Sequence, residues 1–255
     1  MNIEEDKVFA PGIQVIARAA SVLRALGGRP EGLSLGQIAK EVDLARSTVQ
    51  RIVAALGSED FVVEAKPGHG VRIGPGLVRL AASLSSGITD ILHPHLVNLR
   101  DALGETVDLS ILSGGSVVFI DQIPGQQRLV AMSAIGERFP LHCTANGKAI
   151  LACFAREDAE KLIDKSVREH ADYPIPDRDA LLREIETTQR DHLAFDMAEH
   201  AMGISAVGVA VVDPYGRPVA VSIPAPTHRF EAQRALITKS LATFREKLRI
   251  LVAGD

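Results

Sequence analysis

The sequence predicts an α+β protein: an N-terminal winged helix-turn-helix, a linker helix, and a larger C-terminal domain of helices around an antiparallel sheet. Three observations predict it. Residues 34–58 hold two helical stretches separated by the short break Asp43-Leu44-Ala45, and two short strand-like runs follow. Between residues 105 and 134, alternating and apolar runs succeed one another with only turns between them. That is a meander of neighbouring strands rather than a series of βαβ units. Charge is also divided, with residues 8–85 net basic and residues 86–255 net acidic, inside a chain of net charge −4.

In chain order, residues 13–26 read as a helix, with Ile13, Ile16, Ala17, Ala20 and Leu23 on one stripe and Gly27-Gly28 ending it. A loop at Arg29-Pro30-Glu31-Gly32 follows. Ser34 with Gln37 three residues on has the form of a capping box, so a short helix starts there. The next helix is organised by Val49, Ile52, Val53 and Leu56, which fall at i, i+3, i+4 and i+7 and so face a core. Ser47, Gln50, Arg51 and Ala54 point the other way, and no acid occurs from Leu44 to Ser58. A short helix, a tight turn and a helix with a polar, acid-free outer face suggest DNA binding in the major groove. Ser47, Gln50 and Arg51 are expected at base edges, since arginine pairs with guanine and glutamine with adenine. Arg46 and Thr48 are expected at phosphates. Residues 61–64 and 71–73 form a hairpin, the wing, on which Lys66, His69 and Arg72 are expected at phosphate or in a minor groove. The alternative is a hairpin that only covers the helix core, with its cations in solvent.

Pro75 opens a linker helix carrying Leu77, Leu80, Ala81 and Leu84. Beyond it, Ile91, Leu92, Leu96, Leu99 and Leu103 define a helix, with Pro94 expected near its first turn. Strands are expected at residues 105–112, 117–123 and 129–134. The segment 140–152 changes from irregular to helical, with Thr144 or Asn146 as cap and an N-terminus suited to an anion. Helices at 158–165 and 179–192, strands at 193–196, 204–212 and 219–223, and a closing helix at 230–252 complete the chain. The expected domains are 10–74 (winged helix-turn-helix), 75–90 (linker helix) and 91–255 (ligand-binding domain).

Composition narrows the function further. No apolar run approaches the 18 or more residues of a membrane span. The acidic start lacks a signal-peptide core, so a cytoplasmic protein without membrane association is expected. Trp is absent and Tyr occurs twice, which fits no single-strand stacking surface. Cys143 and Cys153 fit no disulfide or metal spacing, so neither metal nor cofactor is expected. Two pairs have catalytic residue types, His142 with Cys143 and Asp196 with His200. Adjacent residues in an extended segment point apart, and neither pair has a third member, so no catalytic residue is assigned. A winged helix used only for protein contact is the remaining alternative, and the acid-free helix face argues against it.

The whole of residues 14–251 resembles the IclR-type transcriptional regulators. In the N-terminal part the resemblance rests on Arg18-Ala19-Ala20-Ser21-Val22-Leu23, Ser47-Thr48-Val49-Gln50-Arg51 and Val71-Arg72-Ile73-Gly74. In the C-terminal part it rests on Leu141-His142-Cys143-Thr144-Ala145-Asn146-Gly147-Lys148-Ala149, Glu199-His200-Ala201-Met202-Gly203-Ile204 and Val219-Ala220-Val221-Ser222-Ile223-Pro224. The resemblance implies that the C-terminal domain is GAF-like and binds a small effector, in this family mostly an organic or aromatic acid. It implies a homodimer formed largely through the DNA-binding domains, often a dimer of dimers, on a pseudo-palindromic operator. Carried over position by position, it places the effector against Ala145 and Asn146, against Asp196 and Met202, and against Ala206 and Ser222. Some relatives have a polar Cys or Ser at the Ala206 position and a second Ser where this chain has Pro224. The pocket is therefore either more apolar or holds the polar end of its ligand differently. The function expected is a ligand-responsive transcriptional regulator; a small-molecule-binding enzyme, or an interaction protein that does not bind DNA, is the alternative on the same fold.

Overall fold

The computed structural model describes residues 11–65, 70–85, 88–133, 135–175 and 177–253. The chain divides into two units, Met1–Leu84 and Ser85–Asp255.

The first unit is three helices and a hairpin: α1 (Pro11–Leu26), α2 (Leu35–Glu41), α3 (Arg46–Ser58), β1 (Val62–Glu64) and β2 (Val71–Ile73). Its core is Val22, Leu26, Leu33, Ile38, Val49, Ile52, Leu56 and Val62, with Val53 packed against it. The capping box forms as the sequence predicts. The Gln37 backbone N–H donates to Ser34 Oγ (3.3 Å), and the Ser34 N–H donates to Gln37 Oε1 (2.8 Å). Asp43 takes a left-handed conformation, φ 49°, to turn the chain from α2 into α3. Leu33, just after the 29–32 loop, pairs with Val71 through two backbone hydrogen bonds of 2.8 Å, adding a third short chain to the wing. Gly70 permits this, since its φ is +106° and a Cβ there would lie 2.6 Å from the Leu33 carbonyl oxygen. Helix α4 (Gly76–Ser85) follows.

The second unit runs α5 (Ile88–Leu103), β3 (Val107–Ser113), β4 (Ser116–Ile123), β5 (Arg138–Pro140), α6 (Ala145–Leu151), α7 (Arg156–Glu169), α8 (Arg178–Asp191), β6 (Ala194–Met197), β7 (Ile204–Val212), β8 (Pro218–Pro226) and α9 (Thr227–Ala253). The six strands form one sheet in the order β5-β4-β3-β8-β7-β6, and every pair is antiparallel. Helices α5 and α9 cover one face, over Val107, Leu109, Val207, Val209, Val219, Val221 and Ile223. The opposite face meets α6, α7 and α8 through Val117, Ile150, Leu151, Ile163, Leu181 and Ile185. Strand β7 turns Ala206, Gly208 and Ala210 to that side, and the small residues let α6 approach. A Cβ on Gly208 would lie 2.9 Å from the Ala145 backbone.

Two expectations are corrected here. Pro94 lies inside α5, because the helix already starts at Ile88. Residues 129–133 are not a strand. Residues 130–133 line a cavity instead, and the free edge of β4 is taken by β5, where Val117 pairs with Phe139.

Candidate functional site

Two sets of residues stand out, one on the surface of the first unit and one inside the second. On α3 the inward stripe of Val49, Ile52 and Leu56 is buried, which leaves Arg46, Ser47, Gln50, Arg51 and Ala54 exposed and Thr48 half-buried. Among the described residues, Arg46 and Arg51 join no ion pair, so both guanidinium groups are available to a partner. The N-cap of α3, Ala45, supplies no side-chain cap; its carbonyl accepts the Thr48 N–H (2.9 Å), and the Arg46 and Ser47 N–H groups are those at the helix start that an anion could meet. Arg72 is exposed on β2. Lys66 and His69, expected on the wing, lie outside the described residues.

In the second unit, a cavity of about 260 Å³ opens on the side of the sheet that meets α6. Five of the six residues expected at an effector line it: Ala145, Asn146, Asp196, Ala206 and Ser222. Met202 does not. Its side chain is 99% exposed, because it sits in the loop that leads into β7, and the corresponding wall is formed by Asp196, His200 and Ala201. The expectation for Met202 is corrected accordingly. Two aromatic rings, Phe119 and Phe139, complete the apolar lining, packed edge to face with centroids 5.0 Å apart.

The polar lining is mostly buried carboxyl and amide. Asp108, on β3, is fully buried and accepts a hydrogen bond from Gln122 Nε2 (2.7 Å). Burial pushes its carboxyl up to about 7, against the opposing pull of hydrogen bonds from Gln122 and Ser133. Asp196, on β6, accepts the backbone N–H groups of Glu199 (2.9 Å) and His200 (3.4 Å) at Oδ1. Burial pushes it up to about 6. Burial likewise lowers His200, whose ring stacks on Tyr173 (13° between planes) and meets Phe139 edge-on.

The Thr144-Ala145-Asn146-Gly147-Lys148-Ala149 stretch builds the remaining wall. Thr144 caps α6 by accepting the Gly147 N–H (3.2 Å) and donates its hydroxyl proton to the Pro140 carbonyl (2.6 Å). Gly147 is required by contact, since a Cβ there would fall 2.3 Å from the Leu141 carbonyl oxygen. Lys148 is buried and its ammonium is held by Glu184 at 2.8 Å and by both oxygens of Glu199 at 2.8 and 2.9 Å. Burial alone would lower its pKa, but the two carboxylates more than offset this and raise it. Glu199 also accepts the Met197 N–H (3.2 Å), so this clasp ties α6 and α8 to the end of β6, which carries Asp196, and to the turn that carries His200.

The pairs with catalytic residue types are not brought together. His142 Nδ1 lies 3.0 Å from Ser166 Oγ, and the Cys143 thiol is pushed up to about 12 by burial, the reverse of an activated nucleophile. Asp196 meets the backbone of His200, not its ring. Among the described residues no cluster of His, Cys, Asp and Glu could hold a metal, and no helix is long and apolar enough to cross a membrane.

Sequence reasoning missed Asp108, Phe119 and Phe139 as parts of this site. Asp108 and Ser110 alternate with Val107, Leu109 and Ile111, a pattern that reads as a half-exposed strand. Both are in fact buried.

Comparison with known proteins agrees with this geometry. Residues 15–65 match the IclR helix-turn-helix domain and residues 81–249 match the bacterial transcriptional regulator IclR C-terminal domain. The chain is 40% identical over 248 residues to the HTH-type transcriptional regulator Rv1719 of Mycobacterium tuberculosis, covering 97% of this chain and 96% of that one. It is 37% identical to the HTH-type transcriptional regulator TtgV of Pseudomonas putida, covering 94% and 93%. Among solved structures, an IclR homologue from Microbacterium hydrocarbonoxydans complexed with 4-hydroxybenzoate shares the fold. Its TM-score is 0.74 at 19% identity, over 92% of this chain and 98% of that one.

Proposed function

We propose that the protein, which belongs to the IclR family of bacterial transcriptional regulators, holds its effector in the cavity lined by Asn146, Asp196, Ala206 and Ser222 and binds its operator through α3. Family membership makes it a sequence-specific, ligand-responsive DNA-binding regulator. The observation that carries the DNA assignment is the exposed, acid-free face of α3, with Ser47, Gln50 and Arg51 for base edges and Arg46 and Thr48 for phosphates. Arg72 on the wing, together with Lys66 and His69, adds phosphate or minor-groove contacts. Two copies acting on a pseudo-palindromic operator place half-sites about one helical turn apart, or a multiple of it. The working form is a homodimer or a dimer of dimers in the cytoplasm, with residues 10–74 binding DNA, 75–90 linking and 91–255 sensing.

The effector is a small organic or aromatic compound, with aromatic acids of the class held by the Microbacterium relative the first to test. A cavity of about 150 Å³ already accepts a benzene ring, so about 260 Å³ has room for one substituted ring. As an effector, the ligand is bound and released unchanged. It shifts operator affinity only as far as it binds one state of the chain better than another.

The test is selection of binding sites from a random DNA pool, followed by titration of the selected duplex. Arg51→Ala is expected to weaken the specific complex by about 10- to 100-fold and to relax one guanine position. Arg79→Ala, outside α3, is expected to leave it unchanged. Equal selection and equal affinity for Arg51→Ala would remove the recognition-helix assignment.

A further inference from the structure

We infer that an organic acid enters this cavity together with a proton, its carboxyl and that of Asp196 sharing one hydrogen, so that the chain binds acids more tightly as pH falls. The inference rests on the effector-cavity reading above and specifies how that cavity meets a negative charge. It starts from a mismatch between the cavity and an anion. Two carboxyl groups, Asp108 and Asp196, line it, and among its described lining residues there is no lysine or arginine. The two carboxyls are not equivalent. Asp108 is engaged by Gln122 Nε2 (2.7 Å) and by Ser133. Asp196 turns Oδ1 to the backbone N–H groups of Glu199 (2.9 Å) and His200 (3.4 Å), and its Oδ2 accepts nothing from a described residue. Asp196 keeps only 3% of its surface accessible and lines the cavity, so Oδ2 is the oxygen left for a ligand.

The groups around Asp196 offer no counter-charge to a ligand. Beyond the end of β6, Glu199 adds a like charge, and burial keeps His200 neutral at neutral pH. On α6, the Lys148 ammonium acts on Asp196 from a distance but is committed to Glu184 of α8 and to Glu199. Ahead of α6, burial holds the Cys143 thiol in its neutral form. Strand β7 sets Ala206 opposite Asp196, and β3 pairs Asp108 with Ser222 of β8. A ligand carboxylate beside an ionised Asp196 would therefore put two like charges in a buried site. One proton between them replaces that repulsion with a charge-assisted hydrogen bond. Burial already favours the protonated form of Asp196, so the proton is held at little cost near neutral pH.

The test is calorimetric titration of the full chain with benzoate and with benzamide, its uncharged counterpart, between about pH 6 and about pH 8.5 in buffers of different ionisation enthalpy. Benzoate is expected to bring about one proton per molecule bound and to weaken about tenfold per pH unit above about pH 7, whereas benzamide changes little. Asp196→Asn sharpens the test. The backbone N–H groups of Glu199 and His200 keep the amide oxygen, so the amide NH2 falls where Oδ2 was and donates at every pH. This variant is expected to lose the pH dependence and to bind benzoate at least about tenfold tighter than wild type at about pH 8.5. His200→Gln and Asp108→Asn locate the proton: if either of them flattens the dependence and Asp196→Asn does not, the inference is overturned. Benzoate binding that is independent of pH overturns it too, as does no benzoate binding at millimolar concentration at about pH 6. Ala206→Phe, or Ser222→Leu where that variant does not fold, fills the cavity and separates the two readings. If filling blocks benzoate but wild-type affinity is flat with pH, the cavity reading stands and the proton inference falls. If the filled variants bind benzoate as wild type does, the cavity reading falls and takes the inference with it.

Discussion

The two units put their functional residues on opposite sides of the same kind of periodic pattern. In the first, the apolar stripe of α3 is consumed by the core, and Ser47, Gln50 and Arg51 are left outside for a partner. In the second, Asp108, Ser110 and Ser222 alternate with apolar residues in the same way, yet the polar set is buried and faces a cavity or α6. A polar position on an amphipathic element therefore marks solvent only when nothing else packs on that face. Here three helices do. The lesson is that an outward site carries its own chemistry on one element, whereas an inward site needs walls from several.

That contrast can be broken at three points, in decreasing order of effect. The largest is Lys148→Met. It removes the ammonium that holds α6, α8 and the turn after β6 together, and leaves Glu184 and Glu199 facing each other. Breaking a fully buried pair is worth 3–5 kcal/mol. Both glutamates are partly exposed, so a loss of about 2 kcal/mol is expected in the unfolding of the second unit. Denaturant unfolding followed by circular dichroism should show that transition move while the melting of the first unit does not. An unmoved transition would mean that the clasp contributes nothing to holding the wall.

Next is Asp108→Asn. The folded value of Asp108 is raised from 3.8 to about 7, so between these the folded chain keeps a proton that the unfolded chain has released. Wild-type stability must then fall as pH rises through that window, and the penalty stays in force above it. The variant removes this penalty and should melt several degrees higher than wild type at about pH 8, with the gap closing towards about pH 4. Asp196, raised to about 6, leaves a shallower residual slope in the variant. Equal melting temperatures at both pH values would show that Asp108 is not held in a protonation-sensitive site.

The smallest is Ser34→Ala, which deletes one half of an exposed capping box. A loss of about 1 kcal/mol is expected, confined to the first unit and read by its thermal midpoint. A larger effect would mean that α2 depends on this cap more than on the burial of Ile38.

Legibility followed the same division. The turn at Asp43, the cap at Ser34, the buried stripe Val49-Ile52-Leu56 and the outward Arg51 are all visible in a window of some two dozen residues, because helix period and capping are local. The order of elements in the second unit was also legible, from periods and turn residues. The strand expected at 129–134 was not, because alternation alone does not show whether a segment finds a sheet edge; here residues 138–140 took the edge of β4. Met202 was placed in the pocket by sequence position, but a loop residue is aimed by its turn, and this one points to solvent.

By itself, then, the sequence determined the helix-turn-helix and the acid-free face it presents, since both depend on residues within a turn or two of each other. It also determined the Gly-Lys-Ala helix start, where Gly147 and Thr144 act on neighbours in the chain. Only the tertiary structure decided what the second unit offers a ligand. Asp108, Asn146 and Asp196 come from three distant elements, and their common cavity exists because small residues on β7 let α6 sit close to the sheet. The short hydrogen bond between the Asn146 amide and Ser110 Oγ (2.6 Å) is likewise a tertiary property, since it joins α6 to β3.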